Sequence, residues 1–188
     1  MAFLGELWVP ILVSAVMVFI VSSVIHMLLP IHKKDCAKLP DEGRVLEALR
    51  GLGLAPGMYM FPHAGSMKEC GSPEMLEKFR QGPVGTMIVR PKGMPKIGTA
   101  LLQWFLFSVV VGVFVAYIAA HTVQPGAGYD VVFRITGTIA TLAYGLSNVT
   151  DSIWKGVPWS TTFKFVFDGL VYGLVTGGTF GWLWPAAH

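Results

Sequence analysis

The chain has 188 residues, 53% hydrophobic and 13% charged, with a net charge of +3 and a mean hydropathy of +0.59. The length suits one compact domain, and the composition lies well to the apolar side of soluble averages. A charge of +3 without interleaved basic and aromatic residues argues against a nucleic-acid partner, and Cys36 and Cys70, the only cysteines, match no zinc pattern.

The apolar residues gather in stretches long enough to span a bilayer, which takes about 20 residues each. The first runs from about Trp8 to Pro30. The segment before it lacks the basic region of a signal peptide, and the apolar run is too long for a signal core, so it reads as a retained span. Ser22 and Ser23, one turn from His26, are expected to bond to the helix backbone rather than act as nucleophiles. His32 follows His26 by six residues, a spacing that does not put both on one helical face.

Residues 31–96 form a long loop with structure of its own. Asp41 is placed to cap a helix with Val45, Leu46, Leu49 and Leu52 on its apolar face, closed by Gly51 and Gly53. Ser72-Pro73-Glu74 opens a second helix carrying Met75, Leu76 and Phe79. Met58–Phe61 and Thr86–Val89 read as short extended segments able to pair. Within this loop Met60, His63, Met67 and Cys70 are weak candidates for Cu(I), which soft ligands select, but their spacing fits no fixed site. Two reduced thiols are expected, as in a cytoplasmic compartment.

The second span covers about Ile97–His121, with Ser108, Gly112, Ala116 and Ala120 at four-residue spacing. The third covers about Val131–Thr150. It carries Gly137, Thr141 and Gly145 at the same spacing and is interrupted by Arg134 and Asn148, so a three-span alternative places it at the interface. Arg134 is expected to pair with Asp130 one turn earlier. The fourth covers about Thr161–Trp184, where Gly169, Gly173, Gly177 and Gly181 form a bare stripe directly after Asp168. Each interior glycine costs a water-soluble helix about 1 kcal/mol; in lipid the same stripe lets a neighbouring helix approach closely. The fold class implied is an all-α integral membrane protein: one domain, a four-transmembrane-helix bundle with a folded cytoplasmic loop containing short amphipathic helices.

Basic residues set the orientation. Eleven of the fourteen lie in residues 31–96, the others being Arg134, Lys155 and Lys164. The positive-inside rule then puts both termini in the periplasm and the long loop in the cytoplasm of a bacterial inner membrane.

Asp168 is the leading candidate for chemistry, because an intramembrane carboxylate costs a few kcal/mol unless protonated, paired or hydrated. His26, Tyr144, Asn148, Asp151 and Tyr172 can reach its level, either as a proton or cation site or as a polar network that fixes register. Snorkelling of Asp168 towards Lys164 is a further structural option. No G-x-S-x-G, P-loop, H-E-x-x-H or dinucleotide fingerprint occurs, so no enzyme and no cofactor are expected. Two functional expectations follow. One is a non-enzymatic packing or accessory subunit, in membrane lipid, of a homo-oligomer or of a complex with other integral membrane subunits. The other is a proton, cation or small-solute pathway built on Asp168 and His26.

Overall fold

The computed structural model describes residues 2–186 and is mostly helical, with two short strands. The chain divides into two compact units: Met1–Asp35 with Lys96–Ile153 and Val157–His188, and Cys36–Pro95 with Trp154–Gly156.

In the first unit, α1 spans Ala2–Ser23 and runs on into a π-helical turn, Val24–Leu28. Leu29 is extended, and Pro30 then opens a single 3-10 turn, Pro30–His32. Helix α5 spans Ile97–Thr122, α6 Tyr129–Tyr144, α7 Val149–Lys155 and α8 Trp159–Trp182. Helix α1 packs on α5 and α8, and α6 packs on α5 and α8, so the four long helices close a ring. Among the described residues two segments are long and apolar enough to cross a membrane, Phe3–Leu28 and Ile97–Thr122, each of 26 residues. Only 33% and 28% of their apolar windows are buried. A core helix of a water-soluble domain would bury most of its length.

Several boundaries differ from the sequence expectation. The first helix begins near Ala2 rather than Trp8, with Pro10 inside it. The fourth ends at Trp182 rather than Trp184. The third stops at Tyr144, not Thr150, leaving 16 residues, or about 24 Å at 1.5 Å per residue. Asn148 explains the stop. Its amide Nδ2 donates to the carbonyls of Tyr144 and Gly145, both at 3.0 Å, satisfying helix-end acceptors that another turn would have used.

The glycine stripe is used within the chain. A Cβ built on Gly169 would lie 2.2 Å from Gly145 Cα, and one on Gly173 would lie 2.0 Å from Thr141 Oγ1 and 2.9 Å from the Gly137 carbonyl. Gly177 faces Gly137 in the same way, and Gly181 meets the Tyr129 ring. The small residues of α6 and α8 therefore interlock, backbone against backbone. Helices α1 and α5 meet through side chains: Leu7, Ile11 and Val18 on one, Val111, Val115, Ala116 and Ala119 on the other, all buried. There Gly112 sits against Ile11. Trp104 Nε1 donates to Ser22 Oγ at 2.8 Å.

In the second unit, α2 (Glu42–Gly51) is capped by Asp41, whose carboxylate accepts from Arg44 N. Helix α4 (Pro73–Gln81) is capped by Ser72, and its Met75 is buried. Strands β1 (Gly57–Phe61) and β2 (Gly85–Val89) pair antiparallel with Tyr59 opposite Met87, as their extended reading anticipates. The one-turn α3 (Met67–Cys70), capped by Ser66, was not anticipated.

Candidate functional site

The break after α1 creates the site. Had the helix continued, His26 and His32 would have pointed to different sides. Instead the extended Leu29 and the Pro30 turn fold the chain back, and the two imidazole rings lie 4.3 Å apart. The expectation that six-residue spacing separates them is thus overturned, because it assumed an unbroken helix. Pro30 was the available signal, since a proline ends the helix before it.

Asp168, on α8, faces both histidines. Its Oδ2 is 2.9 Å from His32 Nε2 and 3.6 Å from His26 Nε2. The carboxylate is 2% exposed and His26 39%. Tyr172, one turn along α8, places its hydroxyl 3.3 Å from His26 Nε2. Phe165 forms an apolar wall, its ring 5.2 Å from that of His32 and 6.2 Å from that of His26.

A second carboxylate stands behind His32. Asp35 Oδ2 lies 2.6 Å from His32 Nδ1, and Asp35 Oδ1 accepts from Lys164 Nζ. Burial pushes the Asp35 carboxyl up, but the hydrogen bonds from Lys164 and His32 together outweigh it and hold the group below its usual range. Lys164 is therefore engaged by Asp35, which corrects the expectation that Asp168 snorkels towards it. An ionised carboxylate can only accept, so His32 Nδ1 is the donor in this pair. In a neutral ring that leaves Nε2 with a lone pair aimed at the Asp168 side.

The close approach of His32 to Asp168 has the length of a hydrogen bond but not its direction. His32 Nε2 and both Asp168 oxygens are buried without a hydrogen-bond partner among the described residues. So is Thr176 Oγ1, two turns along α8 from Asp168. Buried groups of this kind carry a full desolvation penalty, and a functional site is one place where that is tolerated.

Of the expected set, the structure brings together His26, Asp168 and Tyr172. Tyr144 is one ring further off, edge-on to Tyr172 at 5.6 Å, with its hydroxyl 3.5 Å from the Ser108 carbonyl. Asn148 is occupied at the end of α6, and Asp151 lies half-buried on α7. His32 and Asp35 belong to the site and were missed. Ser22 and Ser23 both bond back to the Phe19 carbonyl, as expected. Arg134 and Asp130 approach to 3.7 Å at the exposed start of α6, also as expected.

Met60 stands exposed in β1, and His63 and Met67 are exposed as well. Cys70 is partly buried, and both cysteines are free. The three ligand atoms of the His26–His32–Asp168 group, by contrast, all lie within 4.8 Å of one another. No family model, curated protein or solved structure matches this chain.

Proposed function

We propose that this chain is a non-enzymatic, multi-span inner-membrane protein that binds and passes a cation or proton at the His26–His32–Asp168 centre. One observation carries the reading. A buried carboxylate on a long helix faces two imidazoles, and neither it nor His32 Nε2 has a hydrogen-bond partner among the described residues. A structural polar network would be expected to satisfy its members, because half-satisfied buried networks are destabilising. His26 is partly exposed, which leaves one side of the centre open to exchange.

The four-span arrangement belongs to this proposal. Its support is the outward apolar face of α8, where Phe163, Phe167, Leu170 and Leu174 stand exposed at helical spacing. Helix α5 presents a similar face in Leu102, Leu106, Val110 and Phe114. Patches of this extent suit lipid or another integral subunit. With both basic loops inside, as positive-inside bias favours, the centre lies near the cytoplasmic ends of α1 and α8.

The accessory-subunit reading keeps one supporting observation, the same exposed apolar faces. A homo-oligomer built on the α8 glycines is not favoured, because α6 covers them. The test of the primary reading is flux in reconstituted vesicles. Asp168→Asn should abolish cation- or proton-coupled flux while the protein remains folded in detergent. Unchanged flux in a folded variant would remove the proposal and leave the accessory role.

A further inference from the structure

The cation can be named by class from the donor set, an inference that rests on the cation reading above. We infer that His26 Nε2, His32 Nε2 and Asp168 Oδ2 form a binding site for a divalent first-row transition metal ion of the Zn²⁺ type.

Zinc sits about 2.1 Å from imidazole nitrogen and carboxylate oxygen. Two ligands at that distance are about 3.0 Å apart at a right-angled corner and about 3.4 Å apart at a tetrahedral one. The Asp168 oxygen lies 2.9 Å from one imidazole nitrogen and 3.6 Å from the other, within a side-chain rotation of both values. Imidazole and carboxylate together suit borderline divalent ions. A three-ligand site with one exposed member leaves a position for water or an exchanging ligand, and His26 supplies that exposed side.

The neighbour behind the first ligand is the stronger argument. Metal-bound histidines usually donate their other ring N–H to a carboxylate, which fixes the tautomer and raises ligand basicity. Asp35 makes that contact with His32 Nδ1 at 2.6 Å, and Lys164 in turn holds Asp35. In the neutral ring, with Nδ1 donating to Asp35, a His32 Nε2 lone pair stands 2.9 Å from a carboxylate oxygen, out of line for a hydrogen bond between them. Two acceptors facing each other repel. A shared cation removes the repulsion, satisfies His32 Nε2 and one Asp168 oxygen, and needs no proton on either. Metal binding at His26 Nε2 would displace its 3.3 Å contact with the Tyr172 hydroxyl.

The test uses the full chain purified in mild detergent and titrated with Co²⁺, read by its d–d absorption, and with Zn²⁺ against a chromophoric chelator. One ion per chain is expected, with nitrogen and oxygen but no sulfur ligation. Asp168→Asn and His32→Gln should each abolish stoichiometric binding. Asp35→Asn removes no ligand and should weaken affinity about 10- to 100-fold. If an Asp168 variant fails to fold, the Asp35 variant still decides the matter. A folded wild-type chain that takes up neither ion overturns the metal inference, as does binding unchanged in the folded variants. Flux in vesicles separates the two layers. Absence of metal binding with Asp168-dependent proton flux would sink the metal and keep the cation reading, whereas flux unaffected by Asp168→Asn would sink both.

Discussion

Two of the helix contacts in the first unit solve one problem in opposite ways. Between α6 and α8 the backbones themselves touch, with Gly137 and Gly145 against Gly169, Gly173 and Gly177, and Thr141 filling the remaining gap. Between α1 and α5 the contact is made by Leu, Ile, Val and Ala side chains, and Gly112 alone brings a bare backbone to the seam. In lipid the transfer of apolar surface contributes little to helix association, so close packing and polar contacts carry it. The glycine seam gains from closeness but has no slack. The side-chain seam is looser in principle, since a rotamer can shift. Threonines accompany the glycines: Thr136, Thr141 and Thr179 each bond back to the carbonyl four residues earlier, so none of the three brings an unpaired hydroxyl to the seam.

Adding a methyl group is the sharpest way to break this comparison. Gly173→Ala would set its Cβ 2.0 Å from Thr141 Oγ1 and 2.9 Å from both Thr141 N and the Gly137 carbonyl, and the backbone atoms cannot rotate away. Overpacking typically costs about 1–3 kcal/mol, and a clash with fixed backbone belongs at or above the top of that range. Thermal unfolding followed by circular dichroism in detergent should show a large drop in Tm, or no folded protein at all. A wild-type Tm would mean that α6 and α8 are not seated as described.

Removing side chain from the other seam should do less. Val115 is fully buried against α1, and Val115→Ala would open a small gap in that contact. The lost terms are dispersion contacts rather than transfer from water, so a destabilisation of about 1 kcal/mol is expected. The same denaturation experiment reads it. A loss as large as that of Gly173→Ala would show that the two seams do not differ in tolerance.

The mirror substitution sharpens the contrast further. A Cβ on Gly112 would come 3.3 Å from Ile11 Cγ2 and 3.4 Å from the Ile11 carbonyl, so a shift of a few tenths of an ångström accommodates it. Alanine also favours the helix by about 1 kcal/mol over glycine. Gly112→Ala should therefore leave Tm nearly unchanged. One glycine-to-alanine change is then lethal to packing and the other neutral, on helices of similar length.

What could be read from the chain follows the same division. The glycine stripe on α8 and the small residues on α6 were visible as periodicity, and so was their purpose, close approach of a neighbour. Which neighbour was not visible: α6 or a second subunit satisfies the same pattern. Asp41 and Ser72 announced their helices through local capping chemistry, and Met58–Phe61 read as an extended segment able to pair with Thr86–Val89. Arg134 found Asp130 because the pair lies on one helix. The candidate site was only half legible. Asp168 stands out in any apolar stretch, one-turn spacing pointed to Tyr172, and matching depth pointed to His26 but also to Tyr144 and Asn148, which do not reach it. His32 and Asp35 depend on a chain reversal after Leu28, and helical spacing cannot foresee contacts that exist only because a helix stops. The stop of α6 at Tyr144 was hidden for the same reason, since it turns on the Asn148 side chain.

The faintest expected effect lies outside both seams, on α4 of the second unit. Lys78 donates to Glu74 at 2.7 Å, and Arg80 grips Glu77 with two nitrogens, each at 2.7 Å. These hydrogen bonds hold both glutamates below their ordinary range. A depressed carboxyl contributes stability above its unfolded value, and that contribution is lost as pH falls through the folded one. Carboxyl carbon shifts followed by NMR should therefore give midpoints for Glu74 and Glu77 below that of an unpaired glutamate, about 4.3. Their protonation should hardly move the Tm, because the pairs are solvent-exposed and screened. Midpoints at or above the unpaired value would show that these pairs do not persist in solution. A marked loss of Tm over that pH range would instead mean that α4 depends on its charges more than solvent-exposed pairs ordinarily allow.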